Sequence, residues 1–278
     1  GIFLLEHIIL FKLLKEIEHN RSDIKTVYGA IGQLDMAISI STWRESLPHY
    51  CKPDYSTTAL KVWDSERLYH PLVTNPVTNG LTITIGKSIL LSGSNMSGKT
   101  TFIRAIGINA ILAQTINTAC AQHLVLSPYK IHSAIRISDD VLDDTSYYYE
   151  EVKTVKKLAN ESQQDHHNLF LLDEIFKGTN TIERVASGKA VLSFLETSTN
   201  LVFCSTHDLE LIGYLQEEYQ YFHFEEHIED GELRFDYILK EGSLNNTNAI
   251  RILEMNDFPS AITDQAKEIA RELFKNKR

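Results

Sequence analysis

The fold is decided by the stretch Ile89-Leu90-Leu91-Ser92-Gly93-Ser94-Asn95-Met96-Ser97-Gly98-Lys99-Thr100. Its first part is an apolar run of strand length, and its second part has the Gly-x4-Gly-Lys-Thr spacing of a phosphate-binding loop. A helix is predicted from residue 98 to about residue 114, so the motif stands between a strand and a helix, as its function requires. Glycines let backbone amides converge on phosphate oxygens, Lys99 can bring positive charge to the β- and γ-phosphates, and the Thr100 hydroxyl can bind Mg²⁺. We therefore predict that the residues from Gly93 to Thr101 bind a nucleoside triphosphate.

From residue 81 onward, short apolar runs alternate with amphipathic helical patterns. Residues 169–172 and 201–204 are continuous apolar runs, which are typical of strands buried on both faces. This alternation predicts an α/β domain with a mainly parallel central sheet flanked by helices. The Asp230-Gly231 pair predicts the turn of an antiparallel hairpin, and apolar spacing predicts a final helix over residues 261 to about 274.

Upstream of residue 81 the sequence predicts a different organisation. Residues 2–46 have apolar side chains at helical spacing, which predicts two helices broken near residues 20–23. Charged side chains interrupt the apolar run over residues 2–14 well short of the ~20 residues that a membrane span needs, so we expect a buried helix. Four of the six prolines fall within residues 48–80 and predict irregular structure with short strands, one of them at residues 60–63. We therefore predict a short all-α segment over residues 1–48 and an α/β domain over residues 49–278.

The composition limits the functional classes. The 278-residue chain has 27 basic and 37 acidic side chains, and a formal net charge of −10 is the wrong sign for a surface that grips nucleic-acid phosphates. Cys51, Cys120 and Cys204 lack metal-ligand spacing, which argues against structural zinc and favours a reducing, cytoplasmic compartment. Because the chain begins with Gly and shows no signal sequence, we expect an internal fragment or a processed chain.

Polar side chains follow the apolar runs at residues 169–172 and 201–204. Asp173 and Glu174 come directly after the first run, in the pattern in which the aspartate holds the Mg²⁺ shell and the glutamate orients or deprotonates the attacking water. Such a pair can also be ordinary surface charge, but its position about 75 residues after the phosphate loop favours a catalytic pairing. His207 follows the second run, where an imidazole can donate a hydrogen bond to the γ-phosphate and report its loss.

Taken together, these motifs resemble the ATPase domain of the MutS DNA mismatch-repair family. The similarity lies in the phosphate loop with its Asn95-Met96 pair, in Asp173-Glu174-Ile175 leading to Gly178-Thr179-Asn180-Thr181, and in Thr206-His207. It extends upstream through Leu34-Asp35-Met36-Ala37, residues 50–55 and His70-Pro71, and downstream through Glu241-Gly242 and the last helices. The resemblance implies an ABC-type P-loop ATPase that uses ATP and Mg²⁺. It places Lys99, Glu174 and His207 in the reaction, and Thr100 and Asp173 at the metal ion.

The resemblance also implies a two-chain machine. In this family each nucleotide lies between the phosphate loop of one subunit and a serine-bearing segment of the other, and the matching residue here is Ser146. A tyrosine-rich helix start that only packs is the alternative for that segment. We expect a homodimer or a MutS-like heterodimer, a cytoplasmic, nucleoid-associated protein, DNA contacts through domains mostly outside this chain, and no membrane. The final helix is expected to be a dimer contact or, alternatively, the last layer over the sheet.

Several positions depart from the family pattern. Asp144-Thr145 and Phe176-Lys177 each stand where Gly-Arg is usual, Tyr147 replaces a threonine, and Glu183-Arg184 replaces Asp-Gly. Pro76 stands where a phenylalanine usually stacks on adenine. Tyr237 is then the candidate stacking residue, with ordinary strand packing as its alternative. These changes place the chain among divergent MutS-like members, in which ATPase chemistry is expected and the repair pathway is open.

Two other classes of protein share some of these features. The nucleotide-binding subunit of a membrane transporter has the same three elements but normally carries a Leu-Ser-Gly-Gly-Gln signature, which the sequence lacks. The second is an ATP-binding assembly module of a MutS-like protein that acts in recombination control, with little or no hydrolysis. Phosphate release measured with and without DNA separates this module from an ATPase.

Overall fold

A computed structural model describes residues 2–55, 63–83, 86–94, 96–135, 147–197, 199–229, 232–242, 249–256 and 258–276. The chain divides into two compact units, Gly1–His49 and Tyr50–Arg278. The first unit consists of α1 (Ile2–His19) and α2 (Arg21–Ser46). Asn20 separates the two helices, as predicted. However, its backbone N–H donates to the Glu16 carbonyl, and its backbone carbonyl accepts from the Ile24 N–H. Helical hydrogen bonding therefore continues through the break.

The prediction that the apolar N-terminal helix is buried was wrong for this chain. The side chains of residues 4–19 in α1 are exposed, with Leu4 at 71% and Phe11 at 79% of their full accessible area. Periodicity identifies side chains that can be buried, but it does not show that a covering surface is present. Among the described residues, none of the helices combines the length and the apolar character that crossing a membrane would take.

The second unit is built from alternating strands and helices. Its helices are α3 (Lys99–Ile116), α4 (Tyr147–Ser162), α5 (Thr181–Leu195), α6 (Leu209–Tyr214), α7 (Ala249–Met255) and α8 (Ser260–Asn276). Its strands are β1 (Trp63–Leu68), β2 (Asn79–Thr82), β3 (Ser88–Ser92), β4 (His123–Leu126), β5 (Lys130–Ala134), β6 (Asn168–Asp173), β7 (Leu201–Ser205), β8 (Tyr219–His223), β9 (Glu226–Glu229), β10 (Glu232–Phe235) and β11 (Lys240–Glu241).

Among the described residues, six strands form the central sheet in the order β11-β8-β3-β7-β6-β5. Every neighbouring pair in this sheet is parallel except β11 and β8, which are antiparallel. Strands β2, β1 and β4 form a separate antiparallel sheet, and β9 pairs with β10. The predicted α/β class and the mainly parallel sheet are confirmed.

Side chains of the central strands point alternately to two apolar cores. Leu169 and Leu171 of β6 face a core shared with α3, β1 and β4, whereas Phe170 and Leu172 face a core shared with α4, α5 and α6. Both faces of the strand are therefore buried, which explains its continuous apolar sequence. The helix α3 lies so close to the sheet that a Cβ placed on Gly107 would stand 2.4 Å from Leu171 Cδ1.

The other sequence predictions differ from the structure mainly at element ends. Helix α3 continues to Ile116, and Asn117 terminates it with a left-handed backbone (φ 51°). The predicted hairpin is the β9–β10 pair, whose turn at residues 230–231 lies outside the described residues. Of the strand predicted at residues 60–63, residues 60–62 also lie outside the described part, and β1 begins at Trp63.

Candidate active site

The sheet order brings the three predicted segments to one edge. Strand β7 lies between β3 and β6, and parallel pairing aligns Ser205 with both Leu91 and Asp173. The carboxyl ends of these strands therefore meet, which places the phosphate loop, the Asp173-Glu174 pair and His207 beside one another. Gly93 and His207, which are 114 positions apart in the sequence, converge in this way because the parallel strands end at the same edge of the sheet.

The phosphate loop has the backbone that its glycines predict. Gly93 and Gly98 have φ values of 142° and 110°, which residues with a Cβ rarely adopt. A Cβ on Gly93 would stand 2.7 Å from the Phe224 carbonyl oxygen and 2.8 Å from Ser97 Oγ. Met96 also has a left-handed backbone, with φ 69° and an exposed side chain. Asn95 lies outside the described residues.

Lys99 lies under the phosphate loop, and its side chain is 4% exposed. Its ammonium group donates to the carbonyl oxygens of Gly93 (2.8 Å) and Ser94 (2.7 Å). Burial lowers the pKa of Lys99, while the carboxylates of Glu174 and Asp173 oppose this fall. In the same loop, the Ser94 and Ser97 hydroxyls are buried without a hydrogen-bond partner among the described residues. Buried polar groups normally have partners, so the loop offers unused hydrogen-bonding capacity for an added ligand.

Thr100 and Asp173 are directly joined across the ends of α3 and β6. The Thr100 hydroxyl donates to Asp173 Oδ2 at 2.9 Å, and the Ser205 hydroxyl donates to Asp173 Oδ1 at 2.5 Å. Both oxygens of the carboxylate are thus held in place. Hydroxyl and carboxylate oxygens are ligands that Mg²⁺ prefers in proteins, so this donor set fits the metal ion that the resemblance implies.

Glu174 lies between two nitrogen donors. His207 Nε2 is 2.5 Å from Oε1, and Lys177 Nζ is 2.7 Å from Oε2. Burial raises the pKa of Glu174, but the hydrogen bonds from His207 and Lys177 outweigh it and hold the pKa at about 2. The carboxylate is therefore ionised at neutral pH. Its backbone is left-handed (φ 54°), and its amide donates to the Ser205 carbonyl.

A cavity of about 550 Å³ adjoins these side chains. Phosphate-loop residues, including Thr101, line it together with Glu174, and a second set of side chains comes from the segment between β1 and β2, including Val73 and Pro76. A more open depression of about 790 Å³ lies near the start of β5 and is lined by none of the predicted site residues. The cavity beside Glu174 is therefore the candidate site.

Tyr237 also lines this cavity and covers Gly98 of the phosphate loop. A Cβ on Gly98 would stand 3.3 Å from Tyr237 Cδ1. Asn79 holds the backbone around this tyrosine, because its amide group donates to the Tyr237 carbonyl (3.0 Å) and accepts from the Leu239 amide (2.7 Å). Tyr237 itself has a left-handed backbone (φ 54°), stacks on Phe235 and is 44% exposed. Its ring is thus presented to the cavity, outside any strand.

Some residues of the site were not predicted from the sequence, and one predicted residue lies outside the part of the chain that the structure describes. Ser146 lies outside the described residues. Three features were not predicted from the sequence: Lys177 as a partner of Glu174, Asn79 as the support of Tyr237, and an Arg184–Asp208 ion pair next to His207. Arg184 Nε and Nη2 each lie 2.7 Å from an oxygen of Asp208. The departure from the family pattern at Arg184 was the available signal for this pair.

Comparison with known proteins identifies the family. Residues 89–274 match MutS domain V. MutS protein homolog 4 of Homo sapiens is 27% identical over 298 residues, which cover 100% of this chain and 31% of that protein. DNA mismatch repair protein MutS of Oceanobacillus iheyensis is 25% identical over 280 residues, covering 97% of this chain and 32% of that protein. The MutS of Haloquadratum walsbyi is 27% identical over 280 residues, covering 95% and 29%. The chain thus spans about a third of the length of these relatives.

The mostly parallel sheet and the domain V match together define an α/β domain of the ATPase class, since domain V is the ATPase domain of MutS proteins. The match covers well over half of the chain. The chain therefore belongs to the MutS family, as the sequence motifs indicated, and it is a divergent member.

Proposed function

We propose that this chain binds ATP with Mg²⁺ and hydrolyses it, within a MutS-like protein that couples its nucleotide state to conformational change. One observation carries the proposal: Lys99, Thr100 and Glu174 line the same cavity, with Asp173 hydrogen-bonded to Thr100 and His207 to Glu174. Phosphoryl transfer requires positive charge at the phosphates, oxygen ligands for a metal ion and a group that orients water. The three side-chain sets match these three requirements.

The phosphate loop would bind the β- and γ-phosphates. Lys99 would exchange its bonds to the Gly93 and Ser94 carbonyls for bonds to phosphate oxygens, keeping the same buried ammonium position. The Ser94 and Ser97 hydroxyls would gain acceptors that they lack among the described residues. The predicted contact set of residues 93–101 therefore remains our proposal for the nucleotide-binding residues, with Asn95 among them by resemblance.

Thr100 and Asp173 would hold the metal ion. Mg²⁺, when bound, neutralises charge on the β- and γ-phosphates. The Thr100–Asp173 hydrogen bond keeps a hydroxyl and a carboxylate within reach of one ion, and Ser205 fixes the far oxygen of Asp173. These two residues are therefore our proposed metal-binding residues.

Glu174 would orient the attacking water, and His207 would contact the γ-phosphate. An ionised carboxylate whose oxygens accept from His207 and Lys177 has further lone pairs for a water molecule. His207 is 37% exposed on its side chain, so it can turn from Glu174 toward a phosphate without breaking the core. Of the two roles predicted for Glu174, orienting water suits this strongly hydrogen-bonded carboxylate better than removing a proton.

The shared site and the dimer are proposals by resemblance. Ser146 would complete the site of a partner chain, and α8, whose exposed Ile262 and Ile269 lie seven residues apart, would contribute to the contact between chains. DNA would be held by parts of the protein beyond the domain described, which fits the net charge of −10. Mismatch repair and control of recombination remain the two proposed settings for this ATPase.

The proposal is tested by measuring ATP affinity and phosphate release separately. Wild-type chain in Mg²⁺ is compared with Lys99→Ala and with Lys189→Ala, a control on α5 whose side chain is 41% exposed. We expect ATP affinity to fall at least about tenfold in Lys99→Ala only, since a buried charge-assisted contact is lost. Equal affinity in all three proteins contradicts the phosphate-binding role of the loop. ATP binding by wild type without phosphate release supports the assembly module instead.

A further inference from the structure

The first turn of α4 packs directly on the turn that follows Glu174. A Cβ placed on Gly178 would stand 2.9 Å from Tyr148 Cβ, so only glycine fits against this helix without displacement. The Tyr148 and Phe176 rings are in contact, with centroids 6.4 Å apart. The start of α4 therefore determines where the residues after Glu174 can lie.

A buried carboxylate on α4 completes this contact. Glu151 is 3% exposed, and its Oε1 accepts a short hydrogen bond from the backbone amide of Phe176. Burial raises the pKa of Glu151, while hydrogen bonds from the amides of Phe176 and Lys177 oppose this rise. A carboxylate facing successive backbone amides in such a turn is a known way to stabilise that backbone conformation.

The turn needs this support because its backbone is strained. Glu174 and Phe176 have φ values of 54° and 62°, in the left-handed region that residues with a Cβ avoid. Phe176 stands where the family pattern has glycine, which adopts this conformation without cost. The Glu151 carboxylate accepts from the Phe176 amide and so restrains the turn two residues after Glu174.

We propose that Glu151 is a positioning residue that sets Glu174 for hydrolysis and couples it to the start of α4. The inference rests on the proposed ATPase function. A shift at the start of α4 would thus change the position of Glu174 through Glu151 and Tyr148.

The test compares Glu151→Met, which keeps the side-chain volume and removes the acceptor, with Glu151→Gln, which keeps an acceptor oxygen. Glu150→Gln is the matched control, because Glu150 is the adjacent residue on α4 and pairs with Lys153 at the surface. Each protein is assayed for ATP affinity, for turnover and for hydrogen exchange of the amides of Phe176 and Lys177. Exchange is measured without nucleotide, so this readout does not depend on hydrolysis.

We expect Glu151→Met to lose about tenfold or more in kcat, the effect typical of outer positioning groups, with ATP affinity within twofold of wild type. Amide exchange in the turn should accelerate, Glu151→Gln should recover most of the loss, and Glu150→Gln should match wild type. Unchanged kcat and exchange in Glu151→Met overturn the proposal. Equal losses of kcat and affinity in both Glu151 variants also overturn it, since they indicate general unfolding. If wild type neither binds nor hydrolyses ATP, the proposed function fails, and the exchange result alone decides whether Glu151 holds the turn.

Discussion

His207 and Glu174 are joined by a hydrogen bond between the ends of β7 and β6, with Nε2 at 2.5 Å from Oε1. In the proposed function, His207 would therefore move to the phosphate from a contact with Glu174, the carboxylate proposed to orient water. His207→Ala should keep ATP affinity near the wild-type value and lower kcat by about 10- to 100-fold, because Glu174 loses one of its two donors and the phosphate loses a contact. Single-turnover phosphate release gives this rate. A His207→Ala variant as fast as wild type would remove the sensor role.

The Thr100–Asp173 bond predicts a specific Mg²⁺ dependence. Thr100→Val removes the hydroxyl while keeping the shape of the side chain, so the Mg²⁺ concentration that supports half-maximal ATP turnover should rise about tenfold or more. Thr115→Val, a change of the same chemistry at the exposed end of α3, is the control and should show the wild-type Mg²⁺ curve. Identical curves for the two variants would exclude Thr100 as a metal ligand.

Arg184 pairs with Asp208, the residue that follows His207. The guanidinium makes two 2.7 Å contacts to the Asp208 carboxylate and also donates to the Thr179 carbonyl, so it ties α5 to the segment that carries His207. Arg184→Met should lower kcat about tenfold with a smaller change in ATP affinity. Asp208→Asn should do the same, and the double variant should be no slower than either single one, since the residues act as a pair. Strictly additive losses would contradict this pairing.

The ring of Tyr237 predicts a contribution to base binding. Tyr237→Ala should weaken ATP affinity about five- to tenfold, equivalent to about 1–1.4 kcal/mol of lost stacking, whereas Tyr237→Phe should bind like wild type. Tyr28→Ala, at an 80% exposed tyrosine in the first unit, serves as the control. Fluorescent-nucleotide titration measures these affinities. Wild-type affinity in Tyr237→Ala would leave this tyrosine with a packing role only.

The close approach of α3 to the sheet predicts a stability effect. Gly107→Ala places a methyl group 2.4 Å from Leu171 Cδ1 and should cost about 1–3 kcal/mol of unfolding free energy, because the leucine must move within a filled core. Gly213→Ala, in α6 where an added Cβ would meet open space, should be neutral or slightly stabilising. Thermal unfolding separates the two. A Gly107→Ala midpoint equal to that of Gly213→Ala would contradict the packing described.

The sequence predicted the strands and their ends because each signal was local. An apolar run followed by Asp173 or by Thr206-His207 identifies a buried strand that ends in polar side chains, and parallel pairing then brings such ends together. The phosphate loop could be predicted for the same reason, because its glycines stand at the positions where the loop backbone has positive φ angles.

What the sequence did not predict depends on distant partners. The Glu151 contact joins residues 25 positions apart through a backbone amide, which leaves no trace in side-chain spacing. The partners of Glu174 depend on a left-handed turn at a residue type that seldom adopts one. The exposure of α1 was missed because its apolar side chains indicate a buried helix whether or not a covering surface is present in the chain.

The Mg²⁺-dependent ATPase is tested most directly by turnover of Glu174→Gln, with ATP affinity measured on the same protein. The amide keeps the shape of the side chain and removes the charge that orients water, so affinity should match wild type and phosphate release should fall by about 100-fold or more. Glu217→Gln, at an exposed glutamate after α6, controls for the loss of one charge and should behave as wild type. Phosphate release by Glu174→Gln at the wild-type rate, with ATP bound equally well, would contradict the assignment of this site as the centre of hydrolysis.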